Sequence, residues 1–106
     1  MDDQEFRDLA DSALEDLEQR LLTAADRYGF DADFNNGALT IEFEDPPTRF
    51  VVSPNSPVRQ IWVSAHLKST KLDWDSAKNA FTSGGKTLAE LIGEAIGKQL
   101  DEDVKL

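Results

Sequence analysis

The chain has 106 residues, 40% hydrophobic and 30% charged, and its 21 acids against 11 bases give a net charge of -10. That length suits a single domain, residues 1–106, with one modest core. Zero cysteines and one histidine, His66, exclude disulfides, thiolate metal sites, a cysteine-held cluster on this chain alone and a multi-histidine zinc centre.

The charge is unevenly spread. Residues 1–36 hold eleven acids and three bases, whereas residues 46–89 hold two acids and six bases. Such a field repels nucleic acid and anionic membrane and draws cations or a basic protein surface. The opening Met1-Asp2-Asp3 has neither the basic start nor the apolar stretch of a signal peptide. No apolar run nears the ~18 residues of a membrane span. A cytoplasmic location is therefore expected.

In chain order, the first element is a helix. Phe6, Leu9, Ala10, Ala13, Leu14, Leu17, Leu21, Ala24 and Tyr28 recur at steps of three and four, on one face. Asp2 or Asp3 caps its start and Gly29 ends it. Asn35-Asn36-Gly37 signals a turn. Ala38 to Glu44 alternates, with Leu39, Ile41 and Phe43 against Thr40, Glu42 and Glu44, and reads as a strand. Asp45-Pro46-Pro47 breaks it. Arg49 to Ser53 is a second strand, Pro54-Asn55-Ser56-Pro57 a rigid turn, and Arg59 to His66 a third strand. Lys71 to Trp74 and Asn79 to Thr82 are short further strands. Ser83-Gly84-Gly85 turns the chain into a last helix, where Thr87 and Glu90 have capping-box spacing and Leu88, Leu91, Ile92, Ala95, Ile96 and Leu100 form the apolar stripe.

Strands joined by short turns run antiparallel. Two helices, each with one apolar stripe, must then cover one face of the sheet. The fold class is α+β: a two-layer sandwich in which the N- and C-terminal helices pack on one face of a five- or six-stranded antiparallel sheet. If Ile61, Val63 and Ala65 face the helices, Gln60, Trp62, Ser64 and His66 face solvent. No third layer remains to cover Trp62.

Three constellations could carry chemistry; one of them, the lone His66, could lend a single nitrogen to a cation but reads first as polar surface. At 100° per residue, Asp8, Asp11, Glu15, Glu18 and Asp26 fall within about 80° of one another, opposite the apolar stripe, with Leu22 in the same row. Asp31 and Asp33 follow the helix, and Glu42 and Glu44 can lie beside them. Carboxylates suit hard cations such as magnesium, calcium, manganese or iron, but a helix surface cannot wrap an ion, so such a site is shallow and weak. A solvated helix face is often charged, yet like charges at i,i+4 oppose one another. The second constellation is the exposed Trp62 with Gln60, since aromatic residues are enriched at interface hot spots. A register shifted by one would instead bury Trp62. Trp74 shares parity with Leu72 and reads as core. Ser83-Gly84-Gly85-Lys86 lacks the spacing of a phosphate loop.

In several ordered blocks the chain resembles the frataxin family in its bacterial form. Glu5-Phe6-Arg7-Asp8-Leu9-Ala10-Asp11 looks like its opening, and Asn36-Gly37-Ala38-Leu39-Thr40-Ile41 like its first strand. Pro57-Val58-Arg59-Gln60-Ile61-Trp62-Val63-Ser64 is the most specific run; Leu72-Asp73-Trp74 and Thr87-Leu88-Ala89-Glu90-Leu91-Ile92 match later blocks. The turn before Trp62, Ser53-Pro54-Asn55-Ser56-Pro57, departs from the family's usual Asn-(Lys/Arg)-Gln-x-Pro. The resemblance implies a non-enzymatic protein of iron–sulfur cluster assembly that binds ferrous or ferric iron weakly and docks on the cysteine desulfurase and its scaffold protein. The iron-binding acids it implies here are Asp3, Asp8, Asp11, Glu15, Glu18, Asp26, Asp31 and Asp33. The docking residues are Asn55, Pro57, Gln60 and Trp62, with Glu42 on the first-strand edge. The expected state is a monomer, with iron-driven oligomers as the alternative state. The alternative function is an iron store or ferroxidase using surface carboxylates. An efficient ferroxidase needs a cage on facing helices with Glu-x-x-His spacing, and His66 has Val63 three residues before it.

Overall fold

The computed structural model describes residues 1–44 and 47–106. Helix α1 spans Asp3–Tyr28 and helix α2 spans Leu88–Leu100. Between them run β1 (Asp31–Asn35), β2 (Ala38–Glu44), β3 (Pro47–Asn55), a 3-10 turn (Ser56–Val58), β4 (Gln60–Ala65), β5 (Lys68–Asp75), β6 (Ala80–Ser83) and β7 (Lys86–Thr87). Each strand pairs antiparallel with the next in sequence, so the sheet is a simple meander in the order β1 to β7.

The local chemistry of the termini explains the helix limits. Asp2 is the N-cap of α1, its side chain accepting from the Glu5 N–H at 2.7 Å and meeting one of the orphan donors of the first turn. Gly29 ends the helix at φ 76°, a left-handed conformation that glycine adopts without a Cβ penalty. In α2 both halves of the Thr87–Glu90 capping box form.

One face of the sheet and one stripe of each helix close a single core. Phe6, Leu14, Leu17 and Leu21 of α1, with Ile92 and Ile96 of α2, meet Leu39, Ile41, Phe50, Val52, Ile61, Leu72 and Phe81 of the strands. Phe6 packs edge-on against Phe81 with ring centroids 5.9 Å apart, and Phe43 tilts on Phe50 at 5.0 Å. Such pairs each add about 0.5–1.5 kcal/mol beyond the area they bury. Among the described residues no buried side-chain polar atom lacks a partner.

The sheet has seven strands among the described residues, not five or six. The additional ones are β1 and the two-residue β7. Asp31 and Asp33 lie on β1 itself, a five-residue strand that alternates polar and apolar but stays largely exposed. β3 runs through Pro54 and Asn55, so the expected rigid turn shrinks to the 3-10 turn that follows. β5 begins at Lys68, ahead of the expected Lys71. The break expected at Asp45-Pro46-Pro47 falls, for Asp45 and Pro46, outside the described residues. Pro47 opens β3, at the first position of a strand, where a proline is tolerated.

His66 is a second correction. It is not the last outward residue of β4. It sits with Leu67 in the β4–β5 turn, both at positive φ (52° and 62°). That turn swings the imidazole back toward the core side, where it meets the Phe50 ring at 4.9 Å and Gln99 Oε1 of α2 at 2.9 Å. Trp74 is half-buried and packs on Phe81 at 5.1 Å, in line with its expected core role.

Candidate functional site

The expected acidic row lies along the solvent side of α1. Asp8, Asp11, Glu15 and Asp26 are exposed and Glu18 is half-buried, while Leu22 within the row is 45% exposed. At the C-terminal end of the row, Leu22 and Asp26 share an open groove of about 450 Å³ with Asp31, Glu42 and Glu44. The groove exists because β1 folds back beside the end of α1 and pairs with β2. In that register Asp31 stands directly opposite Glu42 and Asp33 opposite Thr40. Like charges facing each other across a ladder oppose pairing. Relief comes from β3, where Arg49 stands opposite Glu42 and approaches it at 3.7 Å. Asp33 shares the outer face with Asp31, two residues along the edge strand.

Asp3 stands apart from this set. It forms an ion pair with Arg59 at 3.2 Å, tying the start of α1 to the end of the 3-10 turn. Arg59 adopts φ 51°, the left-handed residue that closes the turn. The other acids do not converge into a cage: among the described residues, no three His, Cys, Asp or Glu side chains are placed to share one metal ion. What the edge offers is a line of carboxylate oxygens. Such donors suit hard cations, and each ion would keep much of its water.

The second surface is the outer face of the sheet. Ile61 and Val63 point into the core and Trp62 points out, 38% exposed, as strand parity requires. Ser53 of β3 and Lys71 of β5 flank Trp62 in register. A shallow groove of about 400 Å³ beside the indole is lined by Val51, Ser53, Ser64, Ser69 and Lys71. The small serines leave the ring standing above its neighbours. Asn55 stands opposite Gln60 where β3 and β4 meet, and Pro57 is exposed in the connecting turn. The fold therefore collects Asn55, Pro57, Gln60 and Trp62 at one end of the outer face, while Glu42 belongs to the acidic edge.

Three hydrogen-bonding or charged contacts set the pose of Trp62. Its Nε1–H donates to Gln60 Oε1 at 3.1 Å, Gln60 Nε2 donates to Asp73 Oδ1 at 3.0 Å, and Lys71 Nζ lies 5.0 Å from the ring centroid. The last is within cation–π range. Lys71 and Asp73 were not singled out as site residues: the parity of Leu72 and Trp74 turns them outward, but only the β4–β5 register sets them beside Trp62 and Gln60.

These features define a class: a two-layer α+β protein with uncovered sheet, an acidic helix edge and an aromatic outer face. The chain belongs to the frataxin-like family, whose domain model matches residues 1–102. A relative from Tolumonas auensis, an iron-sulfur cluster assembly protein CyaY, is 29% identical over 106 residues, covering 100% of this chain and 99% of its own. The protein of the same name from Pseudomonas aeruginosa is 32% identical over 109 residues, with 99% and 96% covered. The solved frataxin of Psychromonas ingrahamii superposes with a TM-score of 0.75 at 29% identity, covering 99% of this chain and 97% of that one. No helix among the described residues is long and apolar enough to cross a membrane.

Proposed function

We propose that the chain serves iron–sulfur cluster assembly as a non-enzymatic regulator and iron donor, docking on the cysteine desulfurase and its scaffold protein. The observation that carries this reading is the uncovered outer sheet face with Trp62 held upright on it. A half-exposed tryptophan at a fixed angle is the residue type that anchors interfaces. The acidic edge gives the second half. Its carboxylates steer the chain toward a basic partner surface and hold ferrous or ferric iron loosely as cargo. The names of the relatives, iron-sulfur cluster assembly proteins, support the choice of that process. The iron store or ferroxidase reading gains no support from this geometry, because the acids lie along one helix surface and one strand edge, not on facing helices.

The test is a pair of NMR titrations of the labelled protein, one with ferrous iron and one with the purified desulfurase. Iron should shift the amides around Asp11, Glu15, Glu18, Asp26 and Asp31, and added salt should weaken it, because exposed charges are screened within ~8 Å at physiological ionic strength. The desulfurase titration should also move Trp62 and Gln60. Changing Asp11, Glu15 and Glu18 to amides should lower the association rate and its salt dependence, and Trp62→Ala should raise the dissociation rate. Iron shifts that ignore the acidic edge, or docking untouched by Trp62→Ala in a folded protein, would remove the respective half of the proposal.

A further inference from the structure

The contacts around Trp62 form a chain whose direction is fixed by chemistry. An indole N–H can only donate, and an ionised carboxylate can only accept. Gln60 stands between the two, and its amide offers one acceptor and one pair of donors. It can therefore satisfy both neighbours in one orientation only, Oε1 toward Trp62 and Nε2 toward Asp73, and those are the contacts found at 3.1 and 3.0 Å. Turned over, the amide would set donor against donor and oxygen against oxygen. Asp73 touches neither the indole nor the groove, yet it decides which end of Gln60 meets Trp62. The charged acceptor also polarises the amide and strengthens Oε1 as an acceptor for the indole.

The placement follows from the sheet. Gln60 and Trp62 are i and i+2 on β4 and share the outer face. Asp73 and Lys71 hold the same relation on β5, and the β4–β5 register sets Trp62 opposite Lys71. Two neighbouring strands thus hold the ring at its polar edge through Gln60 and over its π-face through Lys71. The indole N–H is already spent within the chain. An incoming partner meets the ring as an apolar plate and finds no free donor on it.

We propose that Asp73 is a positioning residue: through Gln60 it locks the Trp62 indole in the upright pose that docking uses, and it does so without contacting the partner. The inference rests on the docking role of Trp62 proposed above. A locked side chain loses less rotamer entropy on binding, and affinity rises by that saving. It also gives the partner a chemical definition: an apolar side chain that packs against the plate, with no hydrogen bond to the indole.

The experiment uses the full chain in four forms: wild type, Gln60→Glu, Asp73→Ala, and the double variant Gln60→Glu with Asp73→Asn. Gln60→Glu places two carboxylates against each other and breaks the relay. The double variant rebuilds it with the roles exchanged. The new amide at position 73 can donate where Asp73 accepted, and the new carboxylate at position 60 keeps an oxygen for the indole. Thermal melts check that each form is folded, which the exposed position of Asp73 and the half-exposed position of Gln60 favour. Trp62→Phe assigns the Trp62 indole resonance against that of Trp74.

The first readout is hydrogen exchange and relaxation of the Trp62 indole N–H. The second is affinity for the purified desulfurase–scaffold complex. Both single variants should speed indole exchange and weaken docking by about threefold to tenfold, the range of one modest hydrogen bond. The double variant should return both readouts close to wild type. Indole exchange unchanged in both single variants, or a double variant no better than Gln60→Glu alone, overturns the relay. A restored indole signature with an affinity that is indifferent to every variant, Trp62→Ala included, keeps the relay and overturns the docking reading.

Discussion

Replacing Gly97 with alanine sets two effects of known sign against each other. Gly97 lies inside α2, where alanine is favoured over glycine by about 0.8–1.0 kcal/mol. Propensity alone therefore makes the variant more stable. The tertiary structure says the reverse. A Cβ on Gly97 would sit 2.7 Å from the Glu102 carbonyl oxygen and 3.6 Å from the Val104 nitrogen, and the nearer is a backbone atom that cannot rotate away. That approach exists because the chain turns at Asp101, at φ 56°, and runs back over α2, with the Glu102 N–H donating to the Gly97 oxygen at 3.0 Å. Making room means lifting this tail, which carries Val104, now 7% exposed. Burial of one valine stabilises by about 1.5–3 kcal/mol, and overpacking costs about 1–3 kcal/mol. Net of the propensity gain, Gly97→Ala should lose about 1–2 kcal/mol and melt lower by about 5 °C or more. Urea and thermal unfolding measure it. The same substitution in a chain lacking residues 102–106 should stabilise by about 0.8–1.0 kcal/mol, since only the propensity remains. A full-length Gly97→Ala that melts at or above the wild type would refute the tail-packing argument.

Three other outcomes follow from particular contacts. Asp31→Asn removes one of two facing carboxylates and should raise stability by about 0.2–0.5 kcal/mol at low salt. Millimolar divalent cation should stabilise this variant less than the wild type, and melts with and without cation compare the two. Leu67→Gly relieves a fully exposed leucine at φ 62° in a two-residue hairpin turn. The left-handed penalty, about 1–2 kcal/mol, exceeds the entropic cost of glycine, about 0.5–1 kcal/mol, so a gain of about 0.5 kcal/mol is expected in urea unfolding. Glu90 is held below its ordinary 4.5, first by the Thr87 backbone N–H and then by the Thr87 hydroxyl. A lowered folded pKa stabilises above the unfolded value, and that contribution is lost as pH falls through the folded one. Glu90→Gln keeps the cap without the charge. Any advantage of wild type over this variant at pH 7 should therefore shrink below about pH 4.5, as read from paired melts across pH.

In the proposed docking, attraction and anchoring would fall on separate surfaces. The exposed acids lie on α1 and the β1–β2 edge, whereas the tryptophan lies two strands inward on β4. Long-range steering tolerates loose geometry, because it depends on summed charge within a screening length. Anchoring does not, since packing contacts fade within an ångström. The molecule accordingly leaves its acids exposed to solvent but braces Trp62 with Gln60, Asp73 and Lys71.

Properties that depend on neighbours within a few residues were legible in the sequence. Asp2 and Gly29 bound α1, and Thr87 with Glu90 opens α2, because capping is chemistry over three or four residues. The 3.6-residue stripe of α1 and the alternation Leu39, Ile41, Phe43 each state which face is buried. The outward Trp62 followed from that parity together with the count of two helices. What depends on partners far along the chain was not legible. β1, Asp31 to Asn35, is too short to be assigned from its own alternation and is a strand because β2 supplies its hydrogen bonds. His66 stays exposed, as expected, but the left-handed turn at 66–67 brings it within hydrogen-bond distance of Gln99, 33 residues away. Asp3 counted among the acids, and only the fold shows its ion pair with Arg59, 56 residues on. Nothing local marks the close approach of Glu102 to Gly97 or the bond from Gln60 to Asp73. Local composition decides which conformations a segment prefers, and tertiary folding alone decides which side chains come within a few ångströms of one another. That distance governs hydrogen bonds, ion pairs and steric exclusion, so the acidic edge was visible in the sequence while the relay behind Trp62 was not.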